Sequence, residues 1–222
     1  MKPLLEIRDL VRNYTQGEEV IPVLKGLDLD VNHKETIAIV GHSGTGKSTL
    51  LSLMAGLDKA DGGSISINGT DIVTLGQREL TAFRAKTLSI IFQQFHLMNH
   101  LTAEENIALP LEILGRPVDD LPLKALETVG LAHRAAHKPG QMSGGEKQRV
   151  AIARAFIVKP KLLLADEPSG NLDDETGQKV MNQLFSLVEQ ANMTMILVTH
   201  NRGLASQCHK KFQLHGGKLQ EI

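Results

Sequence analysis

Thr36-Ile-Ala-Ile-Val40 runs without a polar break into Gly41-His42-Ser43-Gly44-Thr45-Gly46-Lys47-Ser48, and Thr49 then leads into apolar residues at Leu50, Met54 and Leu57. A half-exposed strand would alternate polar and apolar residues, so the first five predict a strand buried on both faces. The last three recur at helical spacing. Between them stands the pattern G-x-x-x-x-G-K-[ST], which needs this strand–loop–helix setting to hold phosphates. Glycines let successive N–H groups converge on an anion, and the helix N-terminus adds partial positive charge. Lys47 is spaced to reach the β- and γ-phosphates, and the Ser48 hydroxyl to ligate Mg²⁺. The stretch predicts a site for Mg²⁺·ATP.

Leu162-Leu-Leu-Ala-Asp166-Glu167 supplies a second part. A buried strand ending in two carboxylates is costly unless something cationic faces them. Metal bound to phosphates meets that need, with Asp166 as its ligand. Glu167, one residue on and pointing elsewhere, is the candidate base for the attacking water.

Around these parts the chain alternates strands and helices. Leu5 and Ile7, Leu27 to Val31 and Ser64 to Asn68 alternate as half-exposed strands do. Residues 100–158 read as helical, with capping-box spacings at Thr102/Glu105 and Ser143/Glu146, an apolar face at Val150, Ala153 and Ile157, and a stop at Lys159-Pro160. A helix with Val180, Leu184 and Val188, a buried strand over Thr194–Thr199 and a hairpin around Gly216-Gly217 follow. The expectation is an α/β fold: a phosphate-loop core with a mainly parallel sheet (about 1–95 and 159–222), an N-terminal antiparallel β subdomain, and an inserted helical subdomain (about 96–158).

Bulk composition narrows the setting. Lys+Arg (24) and Asp+Glu (25) nearly cancel, which argues against a nucleic-acid partner. The single cysteine, Cys208, excludes an internal disulfide and fits a reducing compartment. The N-terminal residues carry charges every few positions, unlike a signal peptide, and no apolar run approaches the ~18–20 residues of a membrane span. A membrane role would have to come through another polypeptide.

The two phosphate-site motifs alone leave a kinase, a GTPase or a DNA-repair ATPase open. Met142-Ser143-Gly144-Gly145-Glu146-Lys-Gln-Arg-Val150 resembles the signature motif of ATP-binding-cassette (ABC) ATPases, with Met142 for the usual Leu and Glu146 for the usual Gln. The resemblance covers nearly the whole chain. It implies that Gln93, after Leu88-Ser-Ile-Ile-Phe92, touches Mg²⁺ and senses a transmembrane partner, with Gln94 as the neighbouring alternative. It implies that Ser169-Gly-Asn-Leu-Asp173 lies between two copies, that His200 stands near the γ-phosphate, and that Tyr14 stacks on adenine. Asn201 departs from the usual Asp. The family cycle follows: a homodimer forms with ATP, Ser143 to Glu146 of one copy covers the phosphates held by the other, and hydrolysis reopens it.

Val129-Gly-Leu-Ala-His-Arg134, Leu164 to Asp173 and Glu105-Asn-Ile-Ala-Leu-Pro110 are similar to one branch, which serves lipoprotein release, macrolide and peptide efflux, and cell division. That branch implies an integral membrane permease with few transmembrane helices, and a cytoplasmic subunit peripheral to the inner membrane. Lipoprotein release is the first choice within it. Two alternatives stay open: an ATPase of a signalling or envelope-remodelling complex that moves no substrate, and a soluble ABC ATPase acting on DNA or the ribosome. The last is disfavoured, because the chain has no long coiled-coil insertion, a single cassette and no basic surplus.

Overall fold

Apolar–polar alternation becomes β1 (Leu5–Gln16) and β2 (Glu19–Val31), paired antiparallel with Leu5 opposite Val31 and Tyr14 opposite Ile21. The computed structural model describes residues 2–17 and 19–222; Met1, which opens the charged N-terminal stretch, and Glu18 lie outside them. The chain divides into two compact units. One runs from the N-terminus to Arg84 and takes up Met193–Ile222; the other is Ala85–Asn192.

In the first unit β3 (Thr36–Val40) is buried at four of five positions, as an unbroken apolar run requires. It feeds α1 (Lys47–Met54), which buries Leu50, Leu51, Leu53 and Met54. The expected face reaching Leu57 is one turn too long. The chain leaves the helix after Met54, Leu57 N–H bonds back to Ser52 O at 2.8 Å, and the Leu57 side chain is 51% exposed. β4 (Gly62–Ile67) and β5 (Thr70–Asp71) extend the antiparallel sheet in the order β2-β1-β4-β5, with Ile65 and Ile67 turned inward. α2 (Gln77–Thr87) follows.

The second unit begins with β6 (Leu88–Ile91) and the helices α3 (Ala103–Ile113), α4 (Leu121–Thr128) and α5 (Gly144–Phe156). Both expected capping boxes form, at Thr102/Glu105 and Ser143/Glu146. Ile107, Leu126, Leu131, Met142 and Val150 share one core, which fixes the start of α5 through the residue just before its cap. α5 ends at Phe156, three residues ahead of the Lys159-Pro160 stop, and Lys159 turns with φ +53°. β7 (Leu162–Asp166) pairs with β6 in parallel, and α6 (Asp174–Gln190) buries Val180, Leu184 and Val188 as its periodicity predicts.

The chain returns to the first unit with β8 (Thr194–Val198), the short α7 (Arg202–Ala205), and β9 (Lys210–His215) and β10 (Lys218–Glu221). β8 and β9 flank β3, both parallel to it, and β10 closes the expected hairpin with Leu219 opposite Leu214. The architecture is α/β with one antiparallel sheet and one mainly parallel sheet.

Candidate nucleotide site

In the first unit the chemistry gathers where parallel strands end, the usual place for ligands in α/β sheets. Val40 closes β3 and Gly46 is the N-cap of α1. Gly46 has φ +98°, and a Cβ there would lie 2.6 Å from Val23 Cγ1, so both backbone and space demand glycine. Among the described residues no side chain caps α1, and its first turn has no acid. Its leading N–H groups and the positive end of its dipole therefore face outward unneutralised. Lys47 is buried, and its Nζ donates to Gly41 O and His42 O, each at 2.9 Å. Thr45 Oγ1 also donates to His42 O at 2.9 Å. The loop is thus drawn into a ring that leaves His42, Ser43, Gly44 and Ser48 exposed, with Thr49 half-buried.

Ile39 lies opposite Val198, so the residues after β8 leave the sheet beside that loop. Thr199 N–H donates to Ile39 O at 3.2 Å, and Asn201 N–H to Thr199 Oγ1 at 3.0 Å. His200, exposed, is held between these anchors. Asn201 Oδ1 accepts from Leu204 N–H at 3.1 Å and caps α7. Capping is work Asn does as well as Asp, which accounts for the departure at this position.

Tyr14 is 39% exposed. Its hydroxyl donates to Asp58 Oδ2 at 2.9 Å, and the Arg12 guanidinium lies 4.5 Å from the ring centroid. Arg12 in turn bonds Asp58 Oδ1 at 2.9 Å and Asp61 Oδ1 at 3.1 Å. Burial works to raise the Asp58 pKa, but hydrogen bonds from Tyr14 and Lys59 N–H, with the Arg12 charge, hold it below its ordinary value. The ring is clasped on one face and at its tip.

The second unit repeats the arrangement. Ile91 lies opposite Ala165, so Gln93 and the Asp166-Glu167 pair leave neighbouring parallel strands at the same end. Asp166 is the last residue of β7, and Glu167 has φ +43°, a conformation that bulky residues rarely adopt. That turn sends the second carboxylate in a direction a continued strand would not give, the kind of local strain found at functional sites. Gln93 Nε2 donates to Asn171 Oδ1 at 3.3 Å, and Asn171 Nδ2 to Gln93 O at 3.0 Å. Gln94 instead lines a cleft of about 280 Å³ with Phe95, His96, Leu97, Pro139 and Lys147. Asp173 is exposed and caps α6, accepting from Thr176 N–H at 3.0 Å.

Ser143 opens α5. Its Oγ accepts from Glu146 N–H at 3.3 Å, while Glu146 Oε2 accepts from Ser143 N–H at 2.7 Å. The other oxygen, Oε1, accepts from Arg134 Nε at 2.8 Å. The Ser143 N–H bond, and after it Arg134, hold the Glu146 carboxyl below the usual range against the opposing effect of burial. A Cβ on Gly145 would sit 2.5 Å from Thr176 Cγ2, so the helix start packs too closely on α6 for any side chain there. Gly144, one residue earlier, lies next to Leu172.

Residues 24–170, a stretch holding the phosphate loop, Gln93, the signature motif and the Asp166-Glu167 pair, match the ABC transporter family. The chain is an ABC transporter ATP-binding subunit. Among its relatives, the lipoprotein-releasing system ATP-binding protein LolD of Geobacter metallireducens is 47% identical over 99% of both chains. The uncharacterized ABC transporter ATP-binding protein YbbA of Escherichia coli is 43% identical over 98% of this chain and 97% of its own. The ATP-binding cassette MJ0796, solved as a dimer in a post-hydrolysis state with ADP and Pi, superposes with a TM-score of 0.90 at 37% identity, over 98% of this chain and 97% of that one. ATP binding and hydrolysis belong to the family. Among the described residues of this ABC ATPase, no helix is long and apolar enough to cross a membrane.

Several residues that shape these sites escaped sequence reading. Arg12 carried a usable signal, since it precedes Tyr14 by two positions on one strand and shares its face. Asp58 and Asp61 carried none, because 44 or more residues separate Asp58 and its neighbour from Tyr14. Arg154, half-buried on α5, donates to Phe95 O at 2.9 Å and His96 O at 2.7 Å, and burial lowers its pKa. It ties the segment after Gln93 to the helix that Ser143 opens.

Proposed function

We propose that two copies of this ABC ATPase close on two Mg²⁺·ATP and drive a membrane permease that releases lipoproteins, from the cytoplasmic face of the inner membrane. The observation that carries the substrate is the full-length likeness to LolD, 47% identical over 99% of both chains. The open helix start behind Gly41–Ser48 and the ringed Lys47 support the nucleotide role. In this reading Lys47 and the N–H groups of Gly41 to Thr49 hold the phosphates, and Tyr14 stacks on adenine. Ser48, Gln93 and Asp166 ligate Mg²⁺; hydroxyl, amide and carboxylate oxygens are the hard donors this ion prefers. Glu167 polarises the attacking water, and His200 contacts the γ-phosphate. Ser143, Gly144, Gly145, Glu146 and Asp173 act on the nucleotide held by the other copy. The cleft beside Gln94 receives the permease, one with few transmembrane helices. The core of 1–95 and 159–222 carries the loop chemistry, and the helical subdomain 96–158 carries the signature motif and this cleft.

Purification of the tagged chain from detergent-solubilised membranes tests the reading by identifying the permease. Proteoliposomes holding the pair and a lipid-anchored protein are then expected to release that protein to a soluble acceptor only with Mg²⁺·ATP. Hydrolysis without release would shift the assignment to the complex that moves no substrate. Export of a macrolide or peptide would move it to another member of the branch.

A further inference from the structure

The Arg134–Glu146 pair stands at a part of the proposed site where a negative charge works against the ligand. Glu146 lies in the first turn of α5, two residues after Gly144, at the helix end that covers ATP held by the second copy in the reading above. A carboxylate there stabilises the isolated helix, because it satisfies Ser143 N–H at 2.7 Å and complements the helix dipole. It opposes an arriving phosphate for the same electrostatic reason. Arg134 Nε lies 2.8 Å from Glu146 Oε1, with the carboxylate side chain 14% exposed and the guanidinium 33% exposed. At that separation the two charges present a dipole to a third ion rather than a net anion.

The guanidinium is itself placed by its neighbours. Arg134 closes a short turn over Ala132–Arg134, its N–H bonds to Leu131 O at 2.8 Å, and Leu131 is buried in the helical core. Arg134 Nη1 lies 3.1 Å from His137 Nε2. Because a guanidinium only donates, that ring nitrogen accepts. His137 O and Ala135 O accept from Ala103 N–H and Glu104 N–H at 2.8 and 3.1 Å, fastening the turn to the start of α3. The guanidinium has a fixed seat built by three elements.

We propose that Arg134 is a positioning residue for the composite ATP site: it neutralises and orients Glu146, so that the Ser143 end of α5 accepts the γ-phosphate bound by a second copy of this chain. The proposal rests on the composite-site reading and adds to it a requirement specific to this pair. Arg134 touches no nucleotide, and acts only through Glu146.

A double-mutant cycle separates that role from packing. Sedimentation of the full chain with Mg²⁺ and a non-hydrolysable ATP analogue reads the dimer affinity. Arg134→Gln is expected to weaken the nucleotide-dependent dimer by ~10-fold or more, since both sites gain an unscreened carboxylate. Arg134→Lys, which keeps the charge, should lose less. In a Glu146→Gln background the same Arg134→Gln change should cost under ~3-fold, because no carboxylate remains to neutralise. The proposal is overturned if Arg134→Gln costs under ~3-fold beside native Glu146, or costs the same in both backgrounds, which would make Arg134 a packing residue. Ser143→Arg is the control for the underlying reading. If that variant still dimerises with nucleotide, the composite site itself is wrong. If it does not, while Arg134→Gln does, only the present proposal fails.

Discussion

At the start of α1 no described side chain caps the helix donors and no acid stands in the first turn, whereas α5 begins with Ser143 and Glu146 bonded to each other. The two ends use the same physics in opposite senses. An uncapped start forgoes about 1 kcal/mol of helix stability and leaves several N–H groups for an anion. The loop ahead of α1 is instead held by Lys47, through bonds to Gly41 O and His42 O. A capped start is stable by itself and has to loosen its own bonds to take a ligand. The difference suits the two ends to different moments. In the composite site proposed above, the first end would bind ATP in a single copy, and the second would contribute only when another copy delivers a phosphate to it.

If the two ends meet across a dimer, a mixing experiment gives an all-or-none answer. Lys47→Ala and Ser143→Arg copies, each inactive as a homodimer, are combined. A trans arrangement gives one site with both lesions and one with none, so an ATP-dependent heterodimer should form. A cis arrangement leaves one lesion in every site, and a folded mixture without heterodimer would sink the trans model. Making the first end resemble the second should have the next largest effect. Thr49→Glu puts an acid at the third position of α1, where α5 has Glu146. Calorimetry should show ATP affinity falling ~100-fold, since like charges side by side cost several kcal/mol, with thermal stability not reduced. Unchanged affinity would mean that the open end of α1 does not face the phosphates. The smallest effect is expected from Ser143→Ala, which removes the cap at the second end. It should cost about 0.5–2 kcal/mol of folding stability, or a few degrees in Tm, read by thermal unfolding. A smaller loss would mean that the capping box contributes nothing to holding that end closed.

How much of this was legible depended on whether the signal was local. The strand before Gly41, both capping boxes and the hairpin at Gly216-Gly217 are set by residues within a few positions of each other, and each formed as its pattern implied. α2 went unseen because it is polar nearly all round; of its residues only Thr87 is buried, so no apolar stripe marks it. The overextended α1 shows the converse, an apolar residue at the right spacing beyond the point where the chain turns out of the helix. The clasp on Tyr14 joins residues 44 apart, and the Arg134–Glu146 contact crosses a turn of 12 residues, distances over which periodicity carries no information. The candidate site motifs are local runs of sequence, while the ion pairs around them join positions that only folding brings together.

Cys208, the chain's only cysteine, is 8% exposed, and burial pushes its thiol up to about 12. The thiolate is the form that attacks maleimides and disulfide reagents, and it is scarce here at neutral pH. A cysteine placed at an exposed site on either helix end would therefore be labelled selectively in the native sequence background. A fluorophore or spin label at such a position could follow the opening and closing of the cassette, without first engineering the natural sulfur away.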